Sequence, residues 1–249
     1  MTISRAQLAK ELEPGLNALF GLEYDRYEDE AAEIFESESS DRAFEEEVML
    51  SGFGTAPVKS EGSAINFDNA QETYTARYTM ETIALAFSIT EEAVEDNLYD
   101  SLAKRYTRAL ARSMSQTKQI KGATIMNNAF STTSPIGDGA ALCSAAHPSL
   151  SGNQTNLLAT PADLNETSLE EILIQIAGFT DERGLKIAVR GTKLLIPKEL
   201  QFIAERIINS NLRPGSADND INAMKSMGML PEGAVVNHFF TDADAYFVK

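Results

Sequence analysis

Residues 159–207, ATPADLNETSLEEILIQIAGFTDERGLKIAVRGTKLLIPKELQFIAERI, pass from helix to strand to helix within one short stretch. Thr167 and Glu170 fit a capping box, in which a hydroxyl and a carboxylate satisfy free backbone N–H groups at a helix start. Leu169, Ile172, Leu173, Ile176 and Phe179 then recur at helical spacing as a buried stripe, and the helix ends before Gly184. The run KIAVRGTKLLIP, residues 186–197, reads as a strand. Pro197 suits the first helical position, where its missing N–H costs nothing, and Leu200, Ile203, Ala204, Ile207 and Ile208 line the helix that follows. A turn-rich loop, residues 211–220, leads to two short strands in GAVVNHFF and AYFVK on either side of residues 241–244.

Upstream, residues 51–62, SGFGTAPVKSEG, are loop-like, and residues 64–89 change to strand chemistry rich in Thr, Tyr, Ile and Phe, which predicts a long hairpin. Tyr74, Ala76, Tyr78 and Met80 occupy even positions, whereas Ile83, Leu85, Phe87 and Ile89 occupy odd ones. Because strand side chains alternate between faces, this switch implies a bulge near Glu81 and Thr82, or a strand that leaves one packing surface for another. Thr90-Glu91-Glu92 then opens a long helix with Leu98, Leu102, Tyr106, Leu110 and Met114 in one row and Lys104, Arg108 and Arg112 in a second, basic row. Residues 131–166 form a long irregular connection, of the kind that is functional or mobile in compact domains. The whole reads as α+β.

Charge is unevenly placed. Residues 1–50 hold fourteen acids against four bases, while residues 101–125 hold six bases and no acid, within a formal charge of −16. In the acidic arm Leu8, Leu12, Leu16, Leu19, Phe20, Tyr24, Tyr27, Ala31 and Ile34 follow helical spacing, broken near Pro14-Gly15. Such a helix lies either on its own domain or on a neighbouring subunit. The basic row has three candidate partners: the acidic arm of its own or a neighbouring chain, DNA, or solvent.

Composition removes several function classes. The acidic balance argues against a sequence-tolerant nucleic-acid binder, which needs clustered Lys and Arg. Neither GxGxxG nor GxxxxGK[ST] occurs, so the backbone cradle for nucleotide phosphates is missing. His147 and His238 form no two-histidine metal signature, and Cys143 is the sole cysteine. Cys143 and His147 are four apart, the one pairing that would suit a Cys-dependent hydrolase, without a marked orienting group or oxyanion hole. Asp218, Asp220 and Asn222 alternate like calcium ligands but lack the central Gly and terminal Glu, so turn capping accounts for them better. Met224, Met227 and Met229 supply adaptable packing in a core or where chains meet. No apolar run approaches the ~20 residues of a membrane span, and MTISRAQLAKELE lacks the apolar centre of a secretory signal. No catalytic residue, metal or cofactor is expected.

Residues 159–207, together with residues 212–249, LRPGSADNDINAMKSMGMLPEGAVVNHFFTDADAYFVK, resemble the major capsid proteins of tailed phages, of the Mu-like head-subunit type with the Hong Kong ninety-seven capsid fold. The order of elements agrees over nearly the whole chain. The resemblance implies an N-terminal arm at 1–50, an extended E-loop hairpin at 51–89, a peripheral domain with a long spine helix and the irregular loop at 90–167, and an axial domain at 168–249. The loop around Leu212, Arg213 and Pro214 would lie near the capsomer axis. Inter-subunit contacts are expected at Leu8, Leu12, Ile65, Phe67, Tyr74, Tyr78, Leu212, Arg213 and Pro214. Function would then be geometric: copies form hexamers and pentamers of an icosahedral shell around double-stranded DNA, which is held without sequence-specific binding. The shell would be assembled in the host cytoplasm, with portal, scaffold and decoration proteins as partners and no membrane. Family members continue beyond the last axial strand to complete a peripheral sheet, whereas this sequence stops at Lys249. It carries no long scaffolding extension, so a scaffold would be a separate protein. An encapsulin-like compartment shell is the alternative within the same fold.

Overall fold

The computed structural model describes residues 8–88, 90, 99–213 and 220–249, without the side chains of residues 8–15 and 99–101. Helices α1 (Leu8–Tyr24) and α2 (Glu30–Ile34) are followed by strands β1 (Phe44–Leu50) and β2 (Glu72–Thr79) and the long helix α3 (Tyr99–Asn127). Helix α4 (Glu166–Ala177), strand β3 (Lys193–Pro197), helices α5 (Gln201–Asn209) and α6 (Ala223–Met227), and strands β4 (Gly233–Asn237) and β5 (Phe247–Val248) complete the order. Two compact units result, Met1–Ser37 with Glu81–Ala123, and Glu38–Met80 with Thr124–Lys249.

In the first unit α1 runs through Pro14-Gly15, where a break was expected. The buried face of α3 also differs from the predicted row. Ala103, Thr107, Ala111, Ser115, Gln119 and Ala123 are buried at intervals of four, while Tyr106 is exposed and Leu102, Leu110 and Met114 are half-buried. At the C-terminal end of this face α2 approaches closely: a Cβ added at Gly122 would sit 2.9 Å from that of Ala31. Gln119 accepts the Ala31 N–H at 2.8 Å and donates to Asp29 at 2.9 Å. The basic face of α3 meets the acidic arm of its own chain. Arg108 pairs with Glu23 at 3.1 Å and Lys118 with Asp29, while Lys121 pairs outside the arm with Glu81 at 2.6 Å.

The second unit holds the main core. Strand β3 is central and buried, parallel to β4 and antiparallel to β5. Leu169 and Leu173 of α4, Leu194 and Ile196 of β3, and Ala204 and Ile207 of α5 form one cluster with Leu164, Met224 and Leu230. Each large aliphatic side chain fully buried here stabilises by ~1.5–3 kcal/mol. Gly191 is demanded by this packing, because a Cβ there would meet Val248 at 2.5 Å and Leu173 at 2.9 Å. The helix–strand–helix expected from residues 159–207 is present, with adjusted ends. The cap of α4 is Asn165 with Ser168 rather than Thr167 with Glu170: the Asn165 carboxamide accepts the Ser168 N–H and the Ser168 hydroxyl accepts the Asn165 N–H. The strand is confined to residues 193–197, and Pro197 ends it before a 3-10 turn, Lys198–Leu200, that leads into α5.

The hairpin also differs from expectation. Its strands are 44–50 and 72–79, so β1 comes from the end of the predicted arm, and residues 51–71 are the connection. The one register shift lies between Val48 and Leu50, not at Glu81-Thr82. The phase change in the sequence marks the point where β2 ends and the chain departs as non-strand through residues 80–88. Ile89 lies outside the described residues.

Candidate assembly surface

Strands β1 and β2 form a two-stranded ribbon, a structure marginal in water unless another surface supports it. Phe44 stands opposite Thr79, Glu45 opposite Tyr78, Glu46 opposite Arg77, Glu47 opposite Ala76 and Val48 opposite Thr75. Alternation therefore puts Tyr74, Ala76 and Tyr78 on one face with Glu45 and Glu47, and Phe44 and Val48 on the other with Arg77 and three threonines. The first face rests on its own chain at one end: a Cβ at Gly137 would come within 2.7 Å of the Ala76 Cβ and 3.3 Å of the Tyr74 ring. Burial, and then the charges of Asp138 and Glu182, raise the Tyr74 phenol above its ordinary pKa. The second face is open, with Phe44 and Val48 exposed and the Arg77 guanidinium 3.9 Å from the Phe44 ring centroid.

The connection is held at two places. Ser51 donates its N–H to the Gln71 carbonyl at 2.8 Å and accepts the Gln71 N–H on its hydroxyl at 2.9 Å, which closes the neck. Further out, the Asp68 carboxylate accepts the Gly54 N–H at 2.7 Å and is gripped by Arg183 at 2.7 and 2.8 Å. The Gly54 amide, then Arg183, hold Asp68 below the usual carboxylate range. Arg183 is aimed by the turn after α4, where Asp181 accepts the N–H groups of Arg183 and Leu185 and Gly184 adopts φ +84°. Between these fixed points the apolar side chains face water. Val58 is 99% and Phe67 96% exposed, with Ile65 and Phe53 also largely open. These exposed apolar groups make the loop a candidate interaction surface.

The sequence-derived contact residues divide accordingly. Ile65, Phe67 and Tyr78 are exposed on the hairpin, while Tyr74 is half-buried at its supported end. Leu212 is exposed in a bridge with Ile221, and Arg213 is paired within the chain to Glu166 at 2.9 Å. The Leu8 and Leu12 side chains, and Pro214, lie outside what is described. Sequence reasoning missed Phe53 and Val58, because single apolar residues among Gly, Ser and Pro carry no periodicity. It also missed Phe202, exposed on α5, whereas Met227 of the methionine cluster it named is exposed on α6.

The possible Cys-His pair is not assembled. Both ring nitrogens of His147 are engaged, Nδ1 with Asp138 at 2.6 Å and Nε2 with Asn156 at 3.2 Å, and burial pushes the Cys143 thiol up to about 11. Asn222 acts as the sequence suggested, capping α6. Among the described residues no group of three or more His, Cys, Asp or Glu side chains could hold a metal ion, and no helix is long and apolar enough to cross a membrane.

A family model described as phage capsid protein matches residues 73–249. The fold is similar to that of the bacteriophage JBD30 capsid, with a TM-score of 0.61 at 11% identity over 81% of this chain and 88% of that one. It is also similar to the JBD30 capsid decorated with minor capsid protein trimers, with a TM-score of 0.58 at 11% identity over 81% and 87% of the two chains. No curated protein matches the chain. Since the matched residues make up well over half of its length, the chain belongs to the phage capsid protein family, with the function of a major capsid protein and its place in the virion.

Proposed function

We infer that many copies of this chain close into the icosahedral head of a tailed phage as hexamers and pentamers, with the hairpin lapping over a neighbouring subunit. The observation that carries this reading is the hairpin itself: a two-stranded ribbon with one face open and an apolar connection that its own chain leaves exposed. A ribbon of this kind gains support from a second chain. Two acids of the arm, Glu23 and Asp29, are paired with the basic face of α3 within one subunit. The net charge of −16 also suits an interior that does not grip packaged DNA. Portal, scaffold and decoration proteins, and double-stranded DNA, belong to the same proposal. So do the roles of arm, E-loop, peripheral and axial domain, with β1 transferred from the arm to the hairpin.

Phe67→Asp and Tyr78→Asp test it. Phe67 is 96% exposed, so Phe67→Asp should melt as the parent chain does while failing to form particles by electron microscopy. Tyr78→Asp should also fail to form particles, with some loss of the ribbon because the new carboxylate stands opposite Glu45. Normal particles from both would defeat the overlapping hairpin.

A further inference from the structure

The second unit contains an open groove of about 530 Å³ between α4, residues 156–162 and the C-terminal strand. Its walls are mostly apolar, with Phe130, Leu158, Ile172, Ile176, Phe179 and Phe247 among them, and Phe130 and Phe247 are stacked at 5.8 Å. Two exposed carboxylates, Asp242 and Asp244, stand at its edge. Such a groove calls for an apolar occupant that brings a cation.

We propose that the groove receives the hairpin tip of a second copy of this chain, with Val58 seated among the apolar walls and Lys59 paired with Asp242 and Asp244. This deepens the shell reading and rests on it. The tip has the required chemistry in adjacent residues, the fully exposed Val58 followed by an exposed Lys59. The Asp68 clasp to Arg183 and the Ser51–Gln71 neck fix the connection on its own chain, so the tip is presented rather than free to search. Preorganisation of this kind lowers the entropy cost of each contact. Val58 is unburied in its own chain, so its own groove is not where it lies.

The test uses assembled particles of the full chain. Cys143 also lines the groove and is the sole cysteine, so Val58→Cys creates one new thiol per subunit. Oxidation at about pH 9, chosen because the Cys143 thiol sits high, should link tip to groove and give a ladder beyond dimers on non-reducing gels. Val58→Cys with Cys143→Ala should give no more than dimers. In parallel, Lys59→Glu should lose particles, and adding Asp242→Lys and Asp244→Lys should restore them. Val58→Cys particles that give no ladder, or a Lys59→Glu variant that assembles normally, would overturn the groove assignment while the shell reading stands. Absence of particles from the wild-type chain would overturn both.

Discussion

Asn222 is 1% exposed, and one carboxamide serves two elements. Its oxygen accepts the Met224 and Lys225 N–H groups at the start of α6, and its nitrogen donates to the Ile207 carbonyl at 2.7 Å and the Ser210 carbonyl at 3.0 Å. Asn222→Ala removes the cap, at about 1 kcal/mol, and leaves two carbonyls without their donor, at about 1 kcal/mol each. The total of roughly 3 kcal/mol should lower the melting temperature of the unassembled chain by about 6–12 °C at this size. Asn222→Asp separates the two roles. A carboxylate can still cap α6, but it faces the two carbonyls with no proton to give, so its pKa in the folded chain is raised. The sign then follows: the stability this group contributes is present below the ordinary aspartate value of about 3.9 and is lost as pH rises through the folded value. Circular-dichroism melts should therefore find Asn222→Asp closest to the parent in acid and weakest at neutral pH. An Asn222→Ala chain within about 0.5 kcal/mol of the parent, the range of an ordinary surface change, would refute the reasoning.

Gly137→Ala should overpack the supported end of the hairpin by about 1–3 kcal/mol, and Ala76→Gly in the same chain should recover only part of the loss, as read by melting, because the Ala76 Cα still lies 3.0 Å from the added Cβ. Arg183→Ala should speed amide exchange in residues 51–71 while leaving exchange in β3 unchanged, since Arg183 grips the exposed connection and not the core. Burial works to raise Asp29, but hydrogen bonds from Lys118, Gln119 and the Ala32 N–H outweigh it and hold the carboxyl low. Its contribution is present above the ordinary aspartate value and lost as pH falls through the folded one, so Asp29→Asn should lose less stability on acidification than the parent. Cys143 should react slowly with iodoacetamide at neutral pH and faster as pH approaches about 11.

What the sequence made legible follows burial. Leu169 and Leu173, Leu194 and Ile196, and Ala204 and Ile207 had to keep the period of their element because a common core covers them, and period survives in sequence. The ribbon had no such constraint: FEEEVML in β1 is exposed on nearly every residue, so its charges could read as the end of an acidic arm. On α3 the bulky row was the visible one, yet the buried row is the one of Ala103, Thr107, Ala111 and Ser115 beside it. Asn165 and Ser168 cap α4 as well as Thr167 and Glu170 could have, and only backbone geometry decides between two such boxes. The Asp68–Arg183 clasp joins residues 115 apart in the chain, a pairing that no local pattern encodes.

The central claim is that the chain is a shell-forming subunit. Electron microscopy of the purified full chain at high concentration, with its scaffold supplied, tests this most directly. Closed shells of uniform size, built from hexameric and pentameric clusters, are the expected result. A chain that stays monomeric under those conditions would contradict the account.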